Sequence, residues 1–322
     1  MEKVASKDLE YPSRVEVTED EDEKLTGTEA KIALAQKEDG RYKEEVKKQK
    51  SKVRADGPIP QPPFWGTRVV ENIPLDEIFN FVNEIALIRG QWQVRKGKMK
   101  EEEYKKLLEV KIYPDYDKLK STVQNRKLLQ PKVVYGYFPC QSSGDDLIIY
   151  REDMKTEWLR FTFPRQTGDR FLCLADYFAP VDSGRMDVVA FDLVTMGKVA
   201  SDYSASLFSS NNYRDYLYFH GLSVESAEAL AEMWHKKIRE DLGIAVKDAK
   251  EIKRLFSQGY QGSRYSFGYP ACPNLEDQVK LFELLDGERI GVRLTEGYSL
   301  DPEQSTNAIV VHHPQARYFN VR

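Results

Sequence analysis

The sequence predicts an α+β fold, a single domain in which helices flank a mostly antiparallel sheet. Apolar residues keep helical spacing in two separated segments, whereas the region between residues 132 and 196 changes to short runs rich in valine, isoleucine, phenylalanine and tyrosine. No Gly-x-Gly-x-x-Gly stretch follows a predicted strand, and no phosphate-binding loop is present. A Rossmann fold is therefore not indicated, and the order of helices, sheet and returning helices and strands favours the α+β class.

The N-terminal segment differs in composition from the rest of the chain. Residues 1–57 carry an acidic run and a lysine- and glutamate-rich stretch with little apolar periodicity, which is typical of disordered chain or a solvated helix. Four prolines between residues 58 and 63 then predict a stiff extended linker that ends in Phe64 and Trp65 as a hydrophobic anchor. We expect an extension or linker over 1–57 and the folded domain over 58–322.

Three helical segments are expected, the first and third of them from the spacing of apolar residues. The first spans 75–86, and the second spans 101–127 with a break at Pro114, since proline lacks the N–H that the helix needs. The third spans 223–241, with Ser223 as its N-cap. Its predicted buried stripe consists of Ala227, Leu230, Ala231, Trp234 and Ile238.

Strands are expected where short runs of β-branched and aromatic residues are bounded by turn formers. The predicted strands are 132–138, 146–151, 158–163, 170–177, 186–196, 290–295 and 308–312. The first two should form a hairpin around residues 142–144. Within this region Asp145 and Asp146 are expected to form the turn, and Asp176 to be a buried polar anchor. His235, on the third helix, is expected to be a surface or packing residue.

Composition excludes several classes of function. The 48 basic and 52 acidic residues nearly balance, so no global field draws the chain to nucleic acid or to an anionic membrane. No apolar run approaches ~18 residues and no secretion signal opens the chain, so a cytoplasmic protein is expected. The three cysteines and four histidines show no metal-ligand spacing. We expect no metal site and no disulfide framework, only buried reduced thiols.

The most informative segment is RYSFGYPACPN, residues 264–274. It combines a cation and aromatic residues with a flexible Gly268 and with the fixed backbone of Pro270 and Pro273, which lets a loop bring its own amides and carbonyls close to a ligand. We interpret it as a clamp for a small molecule. The alternative is an ordinary tight surface turn.

This segment resembles the S-adenosylmethionine-binding loop of the reactivation (activation) domain of cobalamin-dependent methionine synthase. In that family an arginine, and a tyrosine five residues after it, belong to the loop, and here they are Arg264 and Tyr269. Four further segments of the same family occur in the same order: 62–75, 133–150, 172–180 and 227–240. The resemblance runs from about residue 58 to the C-terminus.

The resemblance implies which residues contact the ligand. Arg264 would take the ligand carboxylate in a bidentate fork that a lysine cannot reproduce. Glu228 would hold the ammonium or face the sulfonium, and Tyr269 would wall the site against the corrin of a partner. Ser266 belongs to the same loop. The alternatives are a solvated helix carboxylate for Glu228 and a half-buried core tyrosine for Tyr269.

Two positions depart from the best-known branch of the family. Gln258 stands where that branch has a glutamate six residues before the loop arginine, and Asn83 aligns loosely with its aspartate in an Ile-Asp-Trp motif. Both amides keep hydrogen-bonding capacity but remove negative charge, so a modest loss of ligand affinity is expected.

Family membership implies a function that composition and spacing do not show. The chain would bind S-adenosylmethionine and support reductive methylation of cob(II)alamin to methylcobalamin, as part of the methyltransferase methionine synthase, with flavodoxin or a similar electron donor. The chain lacks the D-x-H-x-x-G cobalamin signature and the cysteines of a homocysteine site. A cobalamin-binding domain would therefore be its partner, and the folate and homocysteine modules would lie elsewhere. No catalytic acid or base is implied.

Two alternatives remain open from the sequence. The chain could be a stand-alone S-adenosylmethionine-binding reactivase or sensor for another corrinoid protein. It could instead be a structural module that has lost ligand binding, to which Asn83 and Gln258 lend weight.

Overall fold

An antiparallel sheet separates two hydrophobic layers of the protein. The computed structural model describes residues 51–167 and 170–321. The strands are β1 (Gly66–Glu71), β2 (Lys132–Ser143), β3 (Asp146–Tyr150), β4 (Glu157–Thr162), β5 (Asp187–Thr195), β6 (Ser263–Tyr265), β7 (Arg293–Leu294), β8 (Leu300–Asp301) and β9 (Ser305–Val311). Seven of them form one sheet in the order β4-β3-β2-β5-β9-β6, with β1 paired to the first half of β2, while β7 and β8 form a separate ribbon.

The helices are α1 (Leu75–Phe79), α2 (Glu101–Leu107), α3 (Tyr113–Asn125), α4 (Lys198–Ser209), α5 (Tyr213–Asp241), α6 (Ile252–Phe256) and α7 (Asp277–Leu285). Two π-helical segments, Ala86–Gln91 and Leu108–Ile112, adjoin them. None of the helices in the described part of the chain is long and apolar enough to cross a membrane. The predicted single α+β domain with an antiparallel sheet is confirmed.

The central strand β5 explains why the sheet has two cores. All nine of its residues are buried, which is why DVVAFDLVT reads as a nearly continuous apolar run rather than an alternating one. Ala190 and Val194 pack in the layer that contains α5, and Phe191 and Leu193 pack in the opposite layer with α7. Side chains that alternate across the strand therefore bind the two layers to one sheet.

The start of the helix around residue 223 was predicted wrongly. The helix begins at Tyr213, so Ser223 lies inside it, and its Oγ donates to the carbonyls of Phe219 and His220, at 2.9 Å each. A buried serine bonded to the preceding turn looks like a cap in sequence because both roles use the same hydroxyl. The predicted apolar stripe is confirmed, since all five of its residues are buried.

Replacing Ser223 with alanine is expected to change the free energy of unfolding by less than about 0.5 kcal/mol. Alanine is the better helix former, and the two carbonyls keep their backbone partners. Loss of a true N-cap would cost about 1 kcal/mol. Urea unfolding measures the difference, and a loss of a full kcal/mol or more would contradict the interior placement.

The predicted strand at 170–177 is also wrong. Residues 170–173 form a turn and irregular chain, and Leu174–Tyr177 is a 3₁₀ turn. Asp176 accepts the N–H of Cys173 at 2.9 Å and pairs with Arg165 at 2.7 Å, and such side-chain bonds to local backbone compete with a strand ladder. Asp176 is thus a polar anchor as expected, although it is half-buried rather than buried. Arg165 also binds Asp145 of the β2–β3 hairpin at 2.6 Å, so it joins the turn to that hairpin.

Pro114 widens the second helical segment rather than breaking it. The stretch Leu108–Ile112 is π-helical, the N–H of Tyr113 reaches back to the carbonyl of Leu108, and α3 continues with Pro114 in its first turn. The wider turn relieves the missing N–H and the clash of the proline ring with the preceding turn.

The segment before β1 lies against the domain. The carbonyl of Arg54 lies 2.8 Å from His313 Nε2, and Arg185 donates to the carbonyls of Ala55 and Gly57. Phe64 packs edge-on to Tyr135 and Tyr137 with ring centroids 5.7 and 5.0 Å apart, as its role as an anchor requires. Residues 1–50 of the predicted extension lie outside the described residues, and the division of the chain at 57 stays a prediction.

Candidate functional site

The centre of the candidate site is Arg264, which the short edge strand β6 presents toward α5. Its Nη2 donates to Glu228 Oε2 at 3.0 Å, and its Nε donates to Glu232 Oε2 at 3.3 Å. The two glutamates are four residues apart on α5, so they lie one turn apart on the same face of the helix. The structure therefore brings Arg264 and Glu228 together, with a second carboxylate beside them, while their contacts with a ligand stay a prediction.

The ion pairs keep the groups at this centre charged. Burial alone would lower the pKa of Arg264, but the charges of Glu228 and Glu232 outweigh it and raise that pKa. Burial would raise the pKa of Glu232, yet the neighbouring His235, Arg264 and Arg239 outweigh it and lower the pKa to about 2. The guanidinium and the Glu232 carboxylate are thus both ionised at neutral pH.

Two more carboxyl groups make the surroundings of Arg264 acidic. Asp192 in β5 is fully buried, and no side chain in the described ranges donates a hydrogen bond to either of its oxygens. Burial raises its pKa to about 7, against the lowering effect of Arg264. Glu225 lies on α5, one turn before Glu228, where burial and the charge of Glu228 raise its pKa to about 7. Such a site favours a ligand that carries more positive than negative charge.

The loop after β6 is a compact turn closed by its own backbone. The N–H of Gly268 donates to the carbonyl of Cys272 at 2.9 Å, and the N–H of Cys272 donates to the carbonyl of Tyr269 at 2.9 Å. Gly268 has a φ of 89°, and a Cβ there would lie 2.7 Å from Leu275 Cδ2. The loop conformation therefore requires glycine at this position.

Tyr269 lies at the mouth of the site. It is 39% exposed, and its pKa is raised by burial and by the charge of Glu228, while the charge of Arg264 lowers it. Tyr269 is thus close enough to the ion pair to feel its charges, and part of its side chain is exposed to solvent. Its contact with a ligand or a partner stays a prediction.

Gln258 and Ser266 lie at the edge of the site and hydrogen-bond to neighbouring residues. Gln258 donates to Ser263 Oγ at 3.3 Å and accepts the N–H of Tyr318 at 3.4 Å. The carbonyl of Ser266 accepts the thiol of Cys272 at 3.0 Å. Both residues therefore support β6 and the loop.

Asn83 has a structural role of its own. Its Oδ1 accepts the N–H groups of Ile85 at 3.1 Å and Ala86 at 3.2 Å, which caps the turn that leads into the π-helical segment Ala86–Gln91. The hydrogen bonds and ion pairs of the described residues join Arg264 to the two glutamates of α5 and do not reach Asn83. A role for Asn83 in ligand binding stays a prediction.

Sequence reasoning missed Glu225, Glu232 and Asp192. The two glutamates could have been found, since together with Glu228 they recur at intervals of three and four residues on one helix face. Asp192 interrupts an otherwise apolar strand, which is a signal for a buried functional or paired carboxylate. β6 was missed because three residues carry no readable periodicity.

The cysteines are as expected. Cys140, Cys173 and Cys272 are buried and unpaired, and burial raises the pKa of each thiol, to about 12 for Cys173. Within residues 51–167 and 170–321, no three histidine, cysteine, aspartate or glutamate side chains are arranged to hold a metal ion.

Comparison with known proteins places residues 75–322 in the family described as vitamin B12 dependent methionine synthase, activation domain. Methionine synthase of Mycobacterium tuberculosis (strain ATCC 25618 / H37Rv) is 43% identical over 291 residues, which cover 85% of this chain and 24% of that protein. Methionine synthase of Mycobacterium leprae (strain TN) is 42% identical over 289 residues, with the same coverage. The chain thus spans about a quarter of the length of these relatives.

A solved structure has the same fold. The crystal structure of the MetH reactivation domain bound to AdoHcy aligns with a TM-score of 0.74 at 27% sequence identity, covering 82% of this chain and 83% of that one.

Proposed function

This chain belongs to the family of vitamin B12 dependent methionine synthase activation domains, and from that premise we propose that it binds S-adenosylmethionine and supports reactivation of methionine synthase. The reaction would be the reductive methylation of cob(II)alamin to methylcobalamin. The cobalamin would be held by the cobalamin-binding domain of the enzyme, and flavodoxin or a similar protein would deliver the electron, in a cytoplasmic setting.

The observation that carries the proposal is Arg264 between the α5 carboxylates, beside the Tyr269 loop. S-adenosylmethionine carries a carboxylate, an ammonium and a sulfonium, so it needs one fixed cation and an excess of negative charge around it. Arg264 supplies the cation, and Glu228 supplies an exposed carboxylate for the ammonium or sulfonium. The AdoHcy in the related solved structure supports the same ligand class here, because AdoHcy is S-adenosylmethionine without the transferred methyl group.

In this proposal the chain positions the methyl donor and transfers no proton. S-adenosylmethionine would supply the methyl group to a reduced cobalamin held by the partner domain, and S-adenosylhomocysteine would be left in the site. Arg264 and Glu228 would fix the amino-acid end of the donor, and Tyr269 would fix the direction in which the sulfonium methyl points. Catalysis would then come from proximity and orientation.

The test is a reactivation assay with a cobalamin-binding domain of methionine synthase in the cob(II)alamin state, reduced flavodoxin and S-adenosylmethionine. Formation of methylcobalamin, followed by its absorption spectrum, is expected only when this chain is present. If the chain binds the donor but methylcobalamin does not form, it is a stand-alone binding protein for another corrinoid protein. If it binds no donor with the partner present, it is a structural module.

The preference for S-adenosylmethionine over S-adenosylhomocysteine is expected to increase as the pH rises from 6 to 8. Asp192 and Glu225 have pKa values raised to about 7, chiefly by burial, so both gain negative charge in this range. Only S-adenosylmethionine carries the sulfonium, whereas the amino group titrates in both ligands. Each added charge near the sulfonium should increase the affinity ratio about threefold.

Titration calorimetry of both ligands across this pH range measures the ratio. In the double variant with Asp192→Asn and Glu225→Gln, the ratio should no longer depend on pH. A ratio that falls with pH in the unaltered protein would contradict the acidic surroundings that we describe.

A further inference from the structure

The two carboxylates that bind Arg264 differ in how exposed they are, and therefore in how easily they can move. The Glu228 side chain is 40% exposed, whereas that of Glu232 is 10% exposed. An exposed glutamate can change rotamer and keep its charge hydrated, but a buried one that leaves its partner becomes an uncompensated buried charge. Any anion that approaches Arg264 from solvent can therefore displace Glu228 far more easily than Glu232.

The surroundings of Glu232 hold it in place. His235 Nδ1 lies 3.9 Å from Glu232 Oε1 and is fully buried, and Arg239 follows one turn later on the same face of α5. Arg239 is itself fixed by Asp248 at 2.8 Å and by the ring of Tyr260, whose centroid lies 4.0 Å from its guanidinium carbon. Glu232 thus pairs with Arg264, and the charge of the buried Arg239 also favours its ionised carboxylate.

We propose that Glu232 is a positioning residue, which holds Arg264 through its Nε. The carboxylate of the ligand then replaces Glu228 at Nη2 of the same guanidinium. Binding is then an exchange of ion pairs. The ligand carboxylate takes the place of Glu228 on the guanidinium, and the released Glu228 becomes available to the ligand's positive groups. This inference rests on the proposed function, since it assumes a zwitterionic amino-acid ligand.

Two roles of Glu232, as a source of negative potential or as a positioning residue, can be separated with ligands of different charge. Decarboxylated S-adenosylmethionine keeps the ammonium and the sulfonium but lacks the carboxylate. If Glu232 only adds negative potential, its removal weakens the decarboxylated ligand at least as much, because that ligand has the larger net positive charge. If Glu232 positions Arg264, its removal weakens S-adenosylmethionine more, because only that ligand uses the guanidinium.

The test is calorimetric titration of both ligands into the unaltered chain and the variant Glu232→Gln, which keeps the shape of the side chain. We expect at least a fivefold loss of affinity for S-adenosylmethionine and less than a twofold loss for the decarboxylated ligand. Glu240→Gln is the matched control, since this α5 glutamate pairs with Lys236 away from the site, and it should change neither affinity. Thermal unfolding checks that each variant is folded.

An equal or larger loss for the decarboxylated ligand, or no loss for S-adenosylmethionine, would overturn the positioning role. If the unaltered chain bound neither ligand, with or without the cobalamin-binding domain, the proposed function itself would fail. If Glu232→Gln does not fold, Glu232→Asp can be used instead. Aspartate keeps the charge, but its side chain is one methylene shorter, so the carboxylate lies farther from Arg264. The same selective loss for S-adenosylmethionine is expected.

Discussion

Replacing Arg264 with alanine is expected to weaken the binding of S-adenosylmethionine at least tenfold. The variant removes the only partner that we assign to the ligand carboxylate, and a charge-assisted bidentate hydrogen bond is worth about 1.5 to 3 kcal/mol. Arg264→Lys should recover little of the loss, because an ammonium cannot bind Glu232 and a ligand carboxylate with the same planar fork. Titration calorimetry of the two variants measures both effects.

The same substitution is expected to lower stability. It leaves Glu232 buried without its cation, and breaking a buried ion pair costs about 3 kcal/mol, less whatever protonation of the glutamate recovers. Binding must therefore be measured well below the unfolding temperature. Arg293→Ala is the matched control, because that side chain is 73% exposed and pairs with Glu288 on the surface. Unchanged affinity in a folded Arg264→Ala variant would remove the assigned site.

Replacing Gly268 with valine is expected to weaken ligand binding strongly, because it distorts the loop backbone. The position has a φ of 89°, and an added Cβ would lie 2.7 Å from Leu275 Cδ2. A β-branched residue in this conformation costs about 1 to 3 kcal/mol, so the loop should move and take Tyr269 with it. We expect more than a tenfold loss of affinity with a modest loss of stability.

Gly297→Val is the control for this loop variant. Gly297 lies in a turn where an added Cβ would have no atom within 4 Å and where φ is not positive. The substitution should leave binding unchanged. If Gly268→Val binds S-adenosylmethionine as well as the unaltered chain does, the loop is not the clamp that its sequence indicates.

Much of the fold could be predicted from the sequence, because it depends on patterns among residues that are close together along the chain. The stripe around Trp234 follows helical spacing, and the hairpin at Gly144 follows turn chemistry, so both were found in place. The predicted strand that includes Leu174–Tyr177 failed because the bonds of Asp176 to Arg165 and to the Cys173 N–H form only in the folded chain. Burial and side-chain pairing across elements override a local pattern.

The site could be predicted only in part for a related reason. The residues of the 264–274 segment are adjacent in sequence, so the motif itself identifies them. The contact between Arg264 and Glu232 spans 32 residues and depends on how α5 crosses β6, and the burial of Asp192 depends on strands on both sides of it. Such contacts are set by the assembled sheet rather than by spacing.

The most direct test of the account is titration of S-adenosylmethionine into the purified chain, alone and with a cobalamin-binding domain, with Arg264→Ala in parallel. We expect saturable one-to-one binding that the substitution weakens at least tenfold. Absence of binding under both conditions, or binding that does not depend on Arg264, would contradict it.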